Sequence, residues 1–256
     1  MSCKVSDIVL FLEKMFPLTN ALDFDNPGLI IGSKNASVSK VMLTLDCNYD
    51  AVIKAKEAGA ELIISHHPLI FGGIDSINYD EGNGKIIHEL IKNDISLYAC
   101  HTQLDMTSNY GNIEIAKALG AKSFETVEGA ELGVVFRLDE EISCKEFAGL
   151  IIKGLNSSGV NSINSPESKV KCVFVQGGAF DEDQLPYIIA SDADTAVSGE
   201  IKHHVAVLLQ EYGINSFVAG HNATERVYLP KLCGDLKNEF QNIDFFVDYG
   251  NEIGWN

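Results

Sequence analysis

Three observations predict an α/β architecture of two similar lobes with mainly parallel sheets. Short apolar runs alternate with helical segments in β-α-β order, which makes the strands parallel neighbours. The last third of the chain repeats the pattern of the first, as an internal duplication would. The length, 256 residues with 46% hydrophobic content, is enough to fill a sizeable core. The lobes are expected at residues 1–125 and 126–256, with the C-terminal residues able to pack back on the first.

Taken in order, Ser6 to Phe16 has apolar residues at helical spacing, with Ser2 or Ser6 as possible caps and Pro17 after its end. The segment Asp23-Phe24-Asp25-Asn26-Pro27-Gly28-Leu29-Ile30-Ile31-Gly32 is rich in turn residues and leads into a short strand. Val41 to Leu45 reads as a strand and Asp50 to Ala58 as a helix ended by Gly59. Glu61 to Ser65 is an apolar strand that runs into His66, His67 and Pro68. Pro68 cannot continue a central ladder, so the strand stops there. A glycine- and aspartate-containing loop from Phe71 to Gly84 precedes a helix at Lys85 to Lys92. A second buried strand, Ile95 to Cys100, also ends on a histidine, His101. A helix at Ile113 to Leu119 follows, then strands at Gly133 to Leu138 and Val170 to Gln176. Between those strands lie a helix at Cys144 to Leu155 and a polar loop from Asn156 to Lys169.

The repeat brings chemistry-bearing residues into correspondence. Glu61 to His67 aligns with Asp194 to Glu200, and the strand Ile95 to His101 aligns with Ile214 to His221. Each of those histidines precedes an acid at the same offset, His101 with Asp105 and His221 with Glu225. Ligands of open α/β sheets bind beyond the carboxyl ends of the strands. Strand ends of both halves facing one cleft would gather His66, His67, His101, Asp105, His221 and Glu225 there. Imidazole and carboxylate donors suit zinc, iron, manganese or nickel. Six groups exceed what one tetrahedral ion needs, whereas a dinuclear centre uses them. Adjacent residues of a strand point to opposite sides, so paired rings at 66 and 67 suit two ions better than one.

Composition excludes several classes. With 36 acidic and 19 basic residues the formal net charge is -17, which opposes a phosphate backbone and supplies no basic stripe for nucleic acid. The six cysteines contain no CxxC pair, so neither a zinc knuckle nor a thioredoxin-like motif is indicated; buried intracellular thiols are the plain reading. Cys100, ending an apolar strand, is read as an inert thiol. No apolar run approaches a membrane span and no signal-peptide core is present, which places the chain in the cytoplasm. No Walker-type loop or Rossmann fingerprint occurs.

Six ordered blocks resemble the NIF-three-like dinuclear metal-centre family, whose members often bear the name GTP cyclohydrolase I type 2 homologue. Asp23 to Leu29 is similar to its D-W-D-N-x-G-L opening, Ser65-His66-His67-Pro68 to S-H-H-P, and His101-Thr102-Gln103-Leu104-Asp105 to H-T-x-L-D. Val175 to Gly178 resembles its glycine pair, Ser198 to His204 its T-G-D-x-K-Y-H block, and Gly220 to Glu225 its G-H-x-x-[ST]-E block. Phe24 stands where the family has tryptophan, His203 where tyrosine is usual and Val205 where an acid often sits. The resemblance implies that His66, His67, Asp105, His221 and Glu225 hold two divalent ions, with His101 beside them as a further histidine or acid/base group. It also implies two α/β lobes assembled as a homohexamer with the metal sites facing the interior.

The expected function is that of a metal-dependent hydrolase acting on a small molecule, which the family name suggests is a nucleotide. A metal-binding, metal-delivery or regulatory scaffold without turnover is the alternative. Other marked residues have plainer readings. His88 is mid-helix and structural. Gly177-Gly178 serves either an anion or a tight turn. His203 and His204 either line the cleft or sit on the surface, and Glu200 has no assigned role.

Overall fold

A computed structural model describes residues 3–130, 132–165, 167–180 and 182–250. The chain separates into two compact units, residues 3–108 with 229–250 and residues 109–228.

The first unit starts with helix α1 (Val5–Met15), which buries Val5, Ile8, Val9 and Leu12, the i, i+3, i+4, i+7 stripe of an amphipathic helix. Its cap is Lys4, whose N–H donates to the Asp7 carboxylate at 2.8 Å. Ser6 is already helical, and Ser2 lies outside the described residues. Strands β1 (Gly28–Ile31) and β2 (Lys40–Thr44) follow, then helix α2 (Tyr49–Ala58). Asn48 Oδ1 caps α2 by accepting from Ala51 N–H at 2.9 Å, and Gly59 closes it in the left-handed conformation. Strand β3 (Leu62–Ser65) is buried at every position, as a strand covered on both faces must be. Helix α3 (Gly82–Lys92), strand β4 (Ser96–Ala99) and the short helix α4 (Thr102–Met106) complete this stretch.

The second unit contains helix α5 (Tyr110–Ala118), strands β5 (Glu125–Thr126) and β6 (Val134–Ser143), and helix α6 (Cys144–Leu155). A full capping box starts α6: Ser143 and Glu146 each accept the other's backbone N–H. Then come strands β7 (Asn161–Ile163) and β8 (Lys169–Phe180), helix α7 (Leu185–Ala190), strand β9 (Thr195–Ile201), helix α8 (His203–Glu211), strand β10 (Asn215–Val218) and helix α9 (His221–Arg226). Helix α10 (Leu229–Glu239) and strand β11 (Asp244–Asp248) return to the first unit, where β11 pairs parallel with β2. The break between units falls at 108/109 rather than near 126. Asn109 and α5 belong to the second unit because Asn109 Oδ1 accepts from Gly133 N–H at 2.7 Å and Ile115 and Ala116 enter that unit's core.

The first sheet has order β1-β4-β3-β2-β11, parallel except at β1. The second has order β5-β6-β8-β9-β10-β7 and is mixed: only β8-β9 and β9-β10 are parallel. The expectation of mainly parallel sheets therefore holds for the first sheet and is revised for the second. There the connection from β6 through α6 and β7 delivers antiparallel partners at both flanks. The polar stretch after α6, expected as loop, supplies β7 as an edge strand, where polar side chains are tolerated.

Each unit has its own apolar core. Met42, Val52, Ile63, Ile87 and Leu97 belong to that of the first. Phe136, Phe147, Val173, Val197 and Phe217 belong to that of the second, with Phe147 and Phe217 edge to face at 5.3 Å. Among the described residues no helix is long and apolar enough to cross a membrane.

Candidate metal centre

In the first unit the carboxyl ends of adjacent strands deliver three histidines. Backbone N–H groups of His66 and His67 donate to Leu45 O at 3.1 and 3.0 Å, so both rings start from the β2 and β3 termini. His101 follows β4 and caps α4. Ring centroids are 4.9 Å apart for His66–His67, 5.0 Å for His66–His101 and 5.4 Å for His67–His101. One ligand nitrogen from each of the three lies within 4.8 Å of the others. Asp105, one helical turn beyond His101, brings Oδ2 to 3.6 Å from His66 Nε2.

The other ring nitrogen of each histidine faces an oxygen acceptor. His66 Nδ1 donates to Cys100 O at 2.8 Å, His67 Nδ1 to Asp46 Oδ1 at 2.8 Å and His101 Nδ1 to Asp25 Oδ1 at 2.8 Å. Carbonyl and ionised carboxylate oxygens only accept, so in each neutral ring the proton sits on Nδ1 and the lone pair on Nε2. Metal-ligating histidines are oriented by partners of this kind, and a carboxylate partner raises the basicity of the ligand nitrogen.

Asp25 is the most tightly held of these carboxylates. Its Oδ2 also accepts from Thr102 N–H at 3.1 Å and from Thr102 Oγ1 at 2.5 Å. Burial alone would raise its pKa, but the hydrogen bonds from His101 and Thr102 and the attraction of His101 outweigh burial and hold it at about 2. Cys100, whose carbonyl orients His66, is fully buried, and burial pushes its thiol well above the usual range, with Asp105 and Asp25 adding to the rise. It offers no thiolate beside the histidines.

The second unit carries a related arrangement at the ends of β9 and β10. His221 and Glu225 are four apart at the start of α9 and share one face, with His221 Nε2 at 3.1 Å from Glu225 Oε2. His221 Nδ1 lies 3.1 Å from Glu200 Oε1, so Glu200, at the carboxyl end of β9, orients this ring. With Nδ1 donating to Glu200, the neutral ring turns an electron pair toward the Glu225 carboxylate. A proton or a cation at that point converts the repulsion into attraction. Two glycines make room for α9. A Cβ at Gly178 (φ +65°) would overlap Glu225 Oε1, and one at Gly199 would come within 2.7 Å of Thr224 Oγ1 and His221 Cα. The glycine pair at 177 and 178 thus serves close packing of α9 on β8: Gly178 N–H donates to Thr224 Oγ1 at 3.1 Å.

The remaining marked histidines fall elsewhere. His88 stacks on Tyr79 with centroids 4.0 Å apart. His204 is exposed and pairs with Glu182 at 3.0 Å. His203 lines a cavity of about 480 Å³ in the second unit, together with Glu200, Ile201, Lys202, Ser216 and Val218. Asp25, Asp46 and Glu200 are site residues that spacing alone did not single out. Asp46 is found only through strand register. Thr44 pairs with Ser65, so residues two beyond each, Asp46 and His67, are neighbours across β2 and β3.

The donor chemistry fits divalent ions: imidazoles of fixed tautomer, two carboxylates at i+4 from histidines, and no ionised thiol. Comparison with known proteins agrees in fold and sequence. The chain is similar to the "GTP cyclohydrolase 1 type 2 homolog" of Clostridium perfringens, 30% identical over 251 residues covering 95% of each chain. Its similarity to the protein of that name in Clostridium acetobutylicum is 30% over 262 residues, 98% of this chain and 97% of the relative. Among solved structures, a hypothetical protein of Staphylococcus aureus superposes with TM-score 0.91 at 29% identity, covering 100% of this chain and 99% of the other. A Bacillus cereus protein related to NIF3 gives 0.90 at 22% identity, covering 98% of each chain, which bears on the fold alone. The family profile described as Duf34/NIF3 (NGG1p interacting factor 3) matches residues 3–250. With this match spanning both histidine groups, the chain belongs to the Duf34/NIF3 family.

Proposed function

We propose that this protein is a metal-dependent hydrolase of a small molecule, with two divalent ions held by His66, His67, Asp105, His221 and Glu225. The observation that carries the reading is the gathering of His66, His67 and Asp105 beyond the strand ends, with Asp105 Oδ2 3.6 Å from His66 Nε2 and the Nδ1 of both rings tied to an oxygen. A divalent ion bound there supplies Lewis acidity toward water and toward a carbonyl, imine or phosphoryl oxygen.

The chain's own groups supply the rest. Asp46 and the Cys100 carbonyl hold the His67 and His66 rings so that Nε2 is the ligating atom. His101 Nε2 accepts and returns a proton, while Asp25 keeps the ring oriented and stabilises the imidazolium that forms. The name of the clostridial relatives points to a nucleotide as substrate. Family membership supports a homohexamer, and the acidic, CxxC-free composition supports a cytoplasmic protein with no nucleic-acid partner. The corresponding order of strands in the two units, β1-β4-β3-β2 and β7-β10-β9-β8, supports an internal duplication.

One observation favours the alternative of a metal-binding protein without turnover. His101 contributes its nitrogen to the same group as His66 and His67, and as a ligand it would no longer carry a proton. Purified protein with its native metal, counted by elemental analysis and screened against nucleotides, cyclic amides and phosphodiesters, tests both. The hydrolase reading expects His101→Ala to keep two ions per chain and lose turnover. Loss of an ion makes His101 a ligand, and undiminished turnover removes its proposed role. Asp105→Ala or Glu225→Ala should lose metal; full occupancy in either would sink the ligand assignment.

A further inference from the structure

Beside the histidine group of the first unit lie two aromatic rings that the protein leaves in solvent. Phe24 is 60% exposed and Phe71 is 53% exposed. Single exposed apolar side chains are ordinary, but these two form a pair, with centroids 5.9 Å apart and planes tilted by 51°. Phe71 also meets the His101 ring nearly edge to face, with centroids 6.2 Å apart and planes at 74°. The pair therefore adjoins the group assigned to proton transfer.

Both rings are carried on pinned backbone. Phe24 is followed by Asp25, which is held by His101 Nδ1, Thr102 N–H and Thr102 Oγ1. Next comes Asn26, whose Nδ2 donates to Ile70 O at 2.9 Å and so ties the Phe24 segment to the residue before Phe71. Two apolar rings kept in water by a hydrogen-bonded frame are preorganised for something flat. Aromatic faces and edges carry opposite partial charge, so a tilted pair offers a third ring a face to stack on and an edge to meet. An alkyl chain gains no such term.

Resting on the hydrolase reading, we infer that Phe24 and Phe71 form a stacking platform for a flat, conjugated ring of the substrate, set beside His101. Phe24 contributes nothing to the core, so its ring is free to serve the platform. Stacking of this kind contributes a factor of about 2 to 12 in affinity beyond contact area.

The test uses the full-length metal-loaded protein and two nucleosides that share a ribose, uridine and the non-aromatic 5,6-dihydrouridine, with adenosine as a larger flat ring. NMR should show adenosine and uridine shifting the ring signals of Phe24 and Phe71, with dihydrouridine weaker than uridine by the factor above. Phe24→Leu and Phe71→Leu keep apolar volume, so the fold should stand while adenosine affinity falls by a similar factor. Equal binding by the Leu variants, equal binding of the two uridines, or no ring-signal shift with any nucleoside overturns the platform. Ring signals that move only with protein concentration would assign the pair to a contact between copies and overturn it as well. Metal counts and turnover on the same samples separate the two readings. Nucleoside binding without bound metal or turnover leaves the platform and removes the hydrolase, and turnover with a KM unaffected by the Leu variants does the reverse.

Discussion

His67 Nδ1 lies 2.8 Å from Asp46 Oδ1, and the contact follows from strand register. β2 and β3 run parallel with Thr44 opposite Ser65, so the two chain exits place Asp46 and His67 side by side. The carboxylate fixes the Nδ1–H tautomer and adds negative charge behind Nε2, the atom proposed to bind metal. Asp46→Asn keeps the shape but removes the charge, and its amide NH₂ can face Nδ1 and reverse the tautomer. Metal affinity measured by chelator competition should fall about 10- to 100-fold. An unchanged affinity would mean that Asp46 is a bystander.

Gly178 tests the packing that positions Glu225. Its φ of +65° strains any L side chain, and a Cβ there would overlap Glu225 Oε1, so the carboxylate must move. Gly178→Ala should lower stability by about 1–2 kcal/mol from backbone strain alone. It should also displace the carboxylate, so that bound metal falls with it. Gly159→Ala is the control, because a Cβ there meets nothing within 4 Å and φ is ordinary. Urea midpoints and metal counts of the two variants should separate clearly; equal behaviour would contradict the close approach of α9 to β8.

Much of this was legible in the residues. β3 and β4 announce themselves as apolar runs because they are buried on both faces. The histidine at the head of each short helix was visible from the repeat of His, three residues, acid. What the sequence concealed depends on long-range pairing. Asp25 meets His101 across 76 positions and Glu200 meets His221 across 21, distances at which no periodicity operates. Polar β7 was hidden because an edge strand needs only one hydrogen-bonded neighbour and little apolar surface. The mixed second sheet was hidden because strand direction there is set by where α6 and β7 return the chain, not by the composition of β6.

The thiols make a chemical prediction. Burial raises Cys47 to about 12, with Asp46 adding to the rise, and carries Cys100 well above the usual range. Both should resist iodoacetamide at pH 8 in the folded protein and react once it is unfolded, because the thiolate is the nucleophile. Mass spectrometry of labelled peptides reads this directly. Rapid labelling of Cys100 in the native state would reopen a nucleophilic role beside His101.

Glu61 offers a pH test away from the histidine groups. Its Oε2 accepts from Ser39 N–H at 3.0 Å and Lys40 N–H at 2.9 Å, and its Oε1 from Ser39 Oγ at 2.9 Å, joining the starts of β2 and β3. Partial burial would raise its pKa, but the two backbone donors and the hydroxyl stabilise the ionised form more, and the net shift is downward from 4.5. A carboxyl whose folded pKa is depressed adds stability that is complete above the unfolded value and is lost as pH falls through the folded one. Glu61→Ala should therefore cost about 1–2 kcal/mol at pH 7, a discounted figure for a partly solvated site. The gap between wild type and variant should narrow as pH drops from 4.5 through the lowered folded value. Denaturant melts of both proteins across that range measure it, and a gap that stays constant would show that the ionised carboxylate is not what fastens the two strands.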